Sequence, residues 1–452
     1  MARRFRTVNY AESLQQTVTI GDCLSPDHLA RFIVGIIALL DLSCIYAHYA
    51  LVGGEALAPE LLLGLLLYGY ATGVFSSRKI EKATHESIPF RFIAGELHPD
   101  HSTIAEFRKT FLPEIMDLFV QVLVIAHEAG VLNLGNISLD GSKIHADASK
   151  SKAVSYGRLW ELQEKLRAEV EELITLGEQA DQNELPEGLN VAEEILLRCG
   201  RLTHLEMAKA ILEARAKERY ASEQAEYEAK LRERETKAQE TGHKPHGRAP
   251  EPPTPGPRDT DQYNFTDPES RIMKNSTNAG FDQHYNAQVA VDQDTLLIVG
   301  NTLSNHPNDK GEALPTVDAI PPELGKPKAG ALDNGYFSSR NIDGFEARDI
   351  DAYIATGREP HHKSWQERFA EQPAPPPEDA SPIVKMAYKL QSDIGKAIYG
   401  LRKCTVEPVI GIIKEVLGFR QFSLRGLAAA AGEWCLVCLA FNLKRLHVVL
   451  GH

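Results

Sequence analysis

Three acidic residues stand where acids are hard to accommodate. Asp140 closes the apolar run ISLD (137–140) and is followed by Ser142, Lys143, His145 and Lys150; Asp333 closes AGALD (329–333); Glu407 opens the apolar helical stretch TVEPVIGIIKEVLGF (405–419). A carboxylate leaving a buried strand has few solvating neighbours, and two of them side by side repel unless a cation lies between. Hard oxygen donors, with no Cys or His at ligand spacing, favour Mg2+ over zinc, and Mn2+ substitutes for Mg2+ in such sites. With Glu407 as a third acid the set suits a two-metal site, in which paired ions hold the attacking and leaving oxygens of a phosphodiester in line. Taken singly, Asp140 and Asp333 also fit turns, and Glu407 fits the favourable first turn of a helix. All three together favour the site.

The elements that must carry these acids follow from periodicity. The run 137–140 reads as a strand, HYNAQVAVD (284–292) and TLLIVGNTL (295–303) as a hairpin, KGEALPTVDAI as a short helix, 329–333 as a strand ending at Asp333, and IDAYIAT (350–356) as another. This is a mixed α/β sheet flanked by helices, with aspartates at the carboxyl ends of two strands, where open sheets bind ligands. Residues 25–130 read as helical throughout, with Ser25 and Pro26 starting one helix and Ser102 another. Leucines at heptad-like intervals from Leu159, followed by a segment rich in Ala, Glu, Lys and Arg, make residues 158–240 two or so long helices in a hairpin or coiled coil. The Pro-rich KPHGRAPEPPTPGPR (244–258) reads as a linker, and EQPAPPPEDASP (371–382) as a second interruption.

Charge separates the regions. The chain of 452 residues carries a net charge of -13, which argues against a polyanionic partner until its distribution is read. Residues 158–240 hold 20 acids against 13 Lys or Arg, whereas residues 383–447 hold ten Lys or Arg against four acids. The basic surface is regional. Arg78, Lys79, Lys82 and Arg91 in SSRKIEKATHESIPFRFI (76–93) suit either a solvated helix face or contact with a DNA backbone. With 43% hydrophobic and 25% charged residues the chain is globular. MARRFRTVNYAES carries no apolar signal, so the cytoplasm is the expected place. The apolar stretches 32–52 and 59–74 are interrupted or too short to span a membrane and read as core helices. Cys435 and Cys438 lie in an apolar helical run with no second pair to complete a zinc site.

LDGSKIHADASKSKAVSY resembles the first-aspartate motif of bacterial insertion-sequence transposases of the DDE type, and ALDNGYFSSRNI their second motif. RKCTVEPVIGIIKEVLGFRQFSLRG is similar to the third, and LLYGYATGVFSSRKIEKA with PDHSTIAEFR resembles the helical N-terminal domain of that family. The resemblance implies an RNase H-like fold with Asp140, Asp333 and Glu407 as the metal-binding, catalytic triad. It also implies a helical DNA-binding domain over 1–132, a catalytic domain in two parts (133–157 and 261–452), and a helical insertion with its linker over 158–260. Lys143, Arg402, Lys403, Lys414, Arg425, Arg78 and Lys79 become the expected DNA-binding residues. Arg402 and Lys403 both qualify for the family's arginine, because Tyr399 and Arg402 stand one residue further from Glu407 than the pattern asks. The implied partners are the terminal inverted repeats and target DNA, with two copies of the chain in the active complex, on the nucleoid and with no membrane. The insertion, at -7 by the count above, suits protein contact, as a dimer surface or a brace for the N-terminal domain. The rival is a catalytically silent DNA-binding or structural protein that keeps the fold.

Overall fold

A computed structural model describes residues 19–49, 56–179, 188–241, 249–275, 280–357, 374–377 and 379–451. The amino-terminal stretch 1–18, and parts of both Pro-rich segments, lie outside the described residues. The chain forms two compact units, one of the N-terminal part up to Asp147 together with Met273 onward, the other Ala148–Ile272.

The first unit opens with a helical layer of α1 (Leu29–Ile37), α2 (Ser43–Tyr46), α3 (Pro59–Ala71), α4 (Ser77–Glu86), α5 (Ile88–Ala94), α6 (His101–Thr110) and α7 (Leu112–Glu128). Pro59 starts α3, and eleven of its thirteen residues are buried, so it is apolar all round and central to the helical layer. Two expected helix starts shift. His28, not Ser25, caps α1 by accepting from the Ala30 amide (3.0 Å), and Asp100, not Ser102, caps α6 by accepting from the Ser102 amide (2.7 Å). A cap must keep extended backbone while its side chain reaches forward two residues, and only tertiary placement decides which polar residue does so.

The sheet holds β1 (Asn136–His145), β4 (Arg271–Lys274), β5 (Phe281–Asp292), β6 (Ile298–Ser304), β7 (Ala329–Leu332) and β8 (Asp351–Ile354). Its order is β4-β5-β1-β7-β8 with β6 also paired to β5. β1 pairs antiparallel to β5 over its length but parallel to β7 only through Ser138↔Ala331. β1 therefore does not end at Asp140 as its sequence suggests; it runs on to His145 because β5 continues to accept its hydrogen bonds. Lys143 and His145 are thus strand residues, while Lys150 lies in a short 3-10 turn.

The last helix, Leu427–Val449, packs against β6, α3 and α7 and is buried around nearly its whole circumference. It is the one helix among the described residues long and apolar enough to cross a membrane, and 72% of its most apolar window is buried inside the protein. Asn442 clamps it to β6 by bonding both the N–H and the C=O of Ile298 (2.8 Å each), and Trp434 Nε1 donates to the Gln288 carbonyl (3.1 Å). Cys435 and Cys438 are buried and unbridged within it. Glu433, fully buried, accepts from the amides of Ser423 (2.8 Å) and Leu424 (3.0 Å) and from the Tyr70 hydroxyl (2.9 Å), with the Arg108 guanidinium 3.9 Å away. The helical layer and the sheet therefore share one core.

Opposite His145, the His284 ring lies with its centroid 4.3 Å away, tilted by 34°, and is almost fully buried. Burial pulls its pKa down to about 4, with His145 and Lys143 pushing the same way against the Asp282 carbonyl and carboxylate. The unfolded chain binds this proton at about pH 6.5 and the folded one does not, so stability declines as pH falls from 6.5 and levels off below 4. The expected loss is at most about 3 kcal/mol. His284→Gln should flatten this part of a urea-midpoint profile against pH; an unchanged slope would mean another group titrates.

In the second unit, α8 (Tyr156–Glu178) and α9 (Val191–Thr241) pack as an antiparallel pair around Leu159, Leu205, Ala208 and Leu212, with Val154 and Tyr263 of the two-stranded β2 (Ala153–Ser155) and β3 (Gln262–Asn264). The described end of the Pro-rich segment is not a free linker. It is strapped onto α9 by Arg219 to the Gly256 carbonyl (3.1 Å) and Arg258 to Glu223 (3.0 Å).

Candidate active site

Each acid reaches the site from a different element. Asp140 projects from β1 two residues past the last parallel pair with β7, so no neighbouring strand covers it on that side. Asp333 follows β7 directly and caps a 3-10 turn (Asn334–Tyr336), its Oδ1 accepting from the Gly335 amide (2.8 Å). Glu407 lies in the first turn of the helix Val406–Gly411, which continues as a π-helical turn through Val416.

All three converge on one side chain. Arg402, 9% exposed, places its guanidinium 2.9 Å from Asp140 Oδ2, 3.1 Å from Glu407 Oε1 and 3.8 Å from Asp333 Oδ2. The turn that carries it (Leu401–Cys404) is pinned by hydroxyls: Thr405 Oγ1 lies 2.9 Å from Ser138 Oγ, and Gln293 Nε2 donates to Ser138 Oγ (2.9 Å) and to the Ile398 carbonyl (3.0 Å). Of the two candidates for the arginine role, the structure brings Arg402 to the acids, whereas Lys403 is exposed on the outside of the same turn. Lys414 reaches the same face of β1, donating to Ser142 Oγ (3.0 Å).

The other basic residues are dispersed. Strand alternation puts Lys143 on the face of β1 opposite Asp140 and Ser142, with its ammonium 3.5 Å from the Lys274 carbonyl. Arg425 is paired with Asp147 (2.8 Å), and Arg78 and Lys79 are exposed on α4.

The acids outnumber the cation among them. Burial raises the Asp140 pKa to about 6; Arg402 opposes the shift while Asp333 and Glu407 add to it. Burial also works against the charge of Arg402, but Asp140, Asp333, Tyr399 and Glu407 outweigh it and its pKa is raised. Three carboxylates around one guanidinium leave an excess of negative charge and a set of hard oxygen donors, which fits a divalent cation. In this arrangement the guanidinium holds the three acids apart. Among the described residues the only His, Cys, Asp or Glu trio with ligand atoms all within 4.8 Å of one another is Glu81, Asp100 and His101, on the surface of α4 and α6.

Residues 18–110 match the family model of a transposase domain (DUF772), and residues 379–447, which include Arg402, Glu407 and Lys414, match that of a transposase DDE domain. The chain carries the domains of an insertion-sequence DDE transposase. No curated protein and no solved structure matches the chain. The matches lie at the two ends of the transposase, and in the fold those ends meet, since Glu433 in the last helix is hydrogen-bonded to Tyr70 of α3.

The motifs of the transposase did not point to everything near Asp140. Asn286 and Gln288 are buried in β5 opposite Lys143 and Gly141, and both donate to Asp309. The available signal is local: in NAQV (286–289) two amides alternate with Ala287 and Val289 in a strand buried from Gln283 onward, so one face of that strand is polar where a core face would be apolar.

Proposed function

We propose that this DNA transposase cuts the ends of its insertion sequence and joins the freed 3′-hydroxyls to target DNA at the Asp140–Asp333–Glu407 cluster, on an RNase H-like sheet. The observation that carries the reading is the convergence of three acids from three separate elements on the Arg402 guanidinium. Asp140, Asp333 and Glu407 would hold Mg2+, or Mn2+ in its place. Bound there, the divalent ions lower the pKa of water and stabilise charge developing on the phosphodiester oxygens.

The residues themselves supply the rest. Arg402, relieved of neutralising the acids, offers its planar fork to a phosphate beside them. Lys414 anchors a neighbouring phosphate from the Ser142 side. Lys403, Arg425, Arg78 and Lys79 form an outer set of backbone contacts, which fix register on the duplex without reading sequence. Two copies would act together on paired ends; exposed Ile174, Leu196 and Leu197 on α8 and α9 give the insertion an apolar surface for that contact.

The test is direct. Purified protein is incubated with duplexes ending in the inverted repeats that flank its coding region, a supercoiled target and Mg2+ or Mn2+. Joined products that vanish with EDTA are expected. An absence of cleavage and joining with every flanking end, under conditions where the protein binds those ends, would contradict the proposal and favour a silent DNA-binding descendant.

A further inference from the structure

We propose that Asp309 is a positioning residue for the site, acting through the amide of Gln288 on the turn that presents Asp333; the inference rests on the proposed role of Asp140 and Asp333. Asp309 Oδ1 accepts from Asn286 Nδ2 and Gln288 Nε2, both at 2.8 Å. An ionised carboxylate is an acceptor only, so it fixes which end of the Gln288 amide faces it. The opposite end, Oε1, then accepts from the Tyr336 hydroxyl. Tyr336 is fully buried and closes the 3-10 turn whose first residue is capped by Asp333. Gln288 Nε2 donates as well to Asn286 Oδ1 (3.1 Å), but Asp309 orients that amide too, so with Asp309 absent both amides lose the acceptor that fixes them, and a turned-over Gln288 would present the buried Tyr336 hydroxyl with an N–H2 group in place of an oxygen. Asn341, also buried, closes the same frame by donating to the carbonyls of Lys310 (2.9 Å) and Tyr336 (2.6 Å).

Two glycines let this network approach the acids. A Cβ on Gly141, next to Asp140, would lie 2.1 Å from Gln288 Nε2 and 2.9 Å from Asp309 Oδ1. A Cβ on Gly335 would lie 3.0 Å from Asp333 Oδ1 and 3.5 Å from Asp309 Oδ2. Asp309 thus occupies the space where side chains would otherwise separate β1 from the Asp333 turn. Nothing in the spacing of the motifs marks it.

The experiment uses the full-length chain and two readouts, Mn2+ binding without DNA and end joining. Asp309→Leu should weaken Mn2+ binding and joining by about 10-fold or more, the usual cost of losing a residue that orients a metal ligand. Asp309→Asn, which keeps an oxygen toward the two amides, should restore most of both. Tyr336→Phe should reproduce the defect of Asp309→Leu, and the double variant should be no worse than either single one, because both act through Gln288. Should Asp309→Leu fail to fold, the Asn and Phe variants still decide the matter. Asp309→Asn as impaired as Asp309→Leu would assign the effect to charge and overturn the proposal. Tyr336→Phe with wild-type Mn2+ binding, or additive defects in the double variant, would overturn it too. Mn2+ binding that ignores Asp140→Asn would remove the metal reading itself, and the Asp309 role with it.

Discussion

Asp140→Asn is expected to lower end cleavage and joining by about a thousandfold while leaving the protein at least as stable as the parent. The activity loss follows from removing one of the carboxylates that would hold the divalent ions, whose charge stabilisation would be worth several kcal/mol. Stability moves the other way. Burial and two neighbouring acids raise the Asp140 pKa to about 6 from an ordinary 3.8. The carboxylate ionises more readily in the unfolded chain, so its charge costs stability in full above pH 6, and that cost fades as pH falls toward 3.8. A neutral amide of the same shape escapes it, and Arg402 keeps Asp333 and Glu407 as partners. Thermal unfolding at pH 7.5, DNA-end binding and a joining assay separate the effects. An Asn variant that joins ends at the parental rate, or that unfolds well below the parent, would make Asp140 a structural anchor for Arg402 and not a functional acid.

Glu433→Ala is expected to destabilise the first unit by about 3–5 kcal/mol, the range for removing one partner of a buried charged pair. Three effects add. The Ser423 and Leu424 amides lose their acceptor, the Tyr70 hydroxyl loses the acceptor of its proton, and Arg108 keeps a charge with no acid nearby. Arg108 still donates to Tyr70 Oη (2.9 Å) and the Phe75 carbonyl (3.2 Å), so it cannot leave for solvent without breaking those bonds. Adding Arg108→Met should recover part of the loss, since it removes the uncompensated charge. Urea midpoints of the two single variants and the double variant measure the coupling. A loss under about 1 kcal/mol for Glu433→Ala would mean water replaces the carboxylate. Because the network joins α3, α6 and the last helix, failure here would release the helical layer from the sheet core, and joining activity should fall with it.

Much of the architecture was legible locally. The long hairpin over 158–240 was visible because heptad leucines and Ala/Glu/Lys/Arg richness persist over many turns, and the β5–β6 hairpin because β-type runs flank a short polar break. Boundaries were less legible. β1 overruns Asp140 because its extension is held by β5, more than 130 residues later in the chain. The Pro-rich segment before β3 is strapped to α9 by arginines whose partners no local pattern reveals.

The same division holds at the site. The kinds of residue needed, three acids leaving buried elements with bases around the last of them, are set by chemistry and can be read from the sequence alone. That Arg402 and not Lys403 enters among the acids depends on which side of a 3-10 turn faces β1. Lys143 faces away because a strand that continues alternates its side chains. Asp309 matters only because Gly141 and Gln288 are paired across two strands. Residue type and local period are properties of neighbouring positions, so sequence determines them; convergence within a few ångströms of groups hundreds of residues apart is a property of register and packing, and only the tertiary structure decides it.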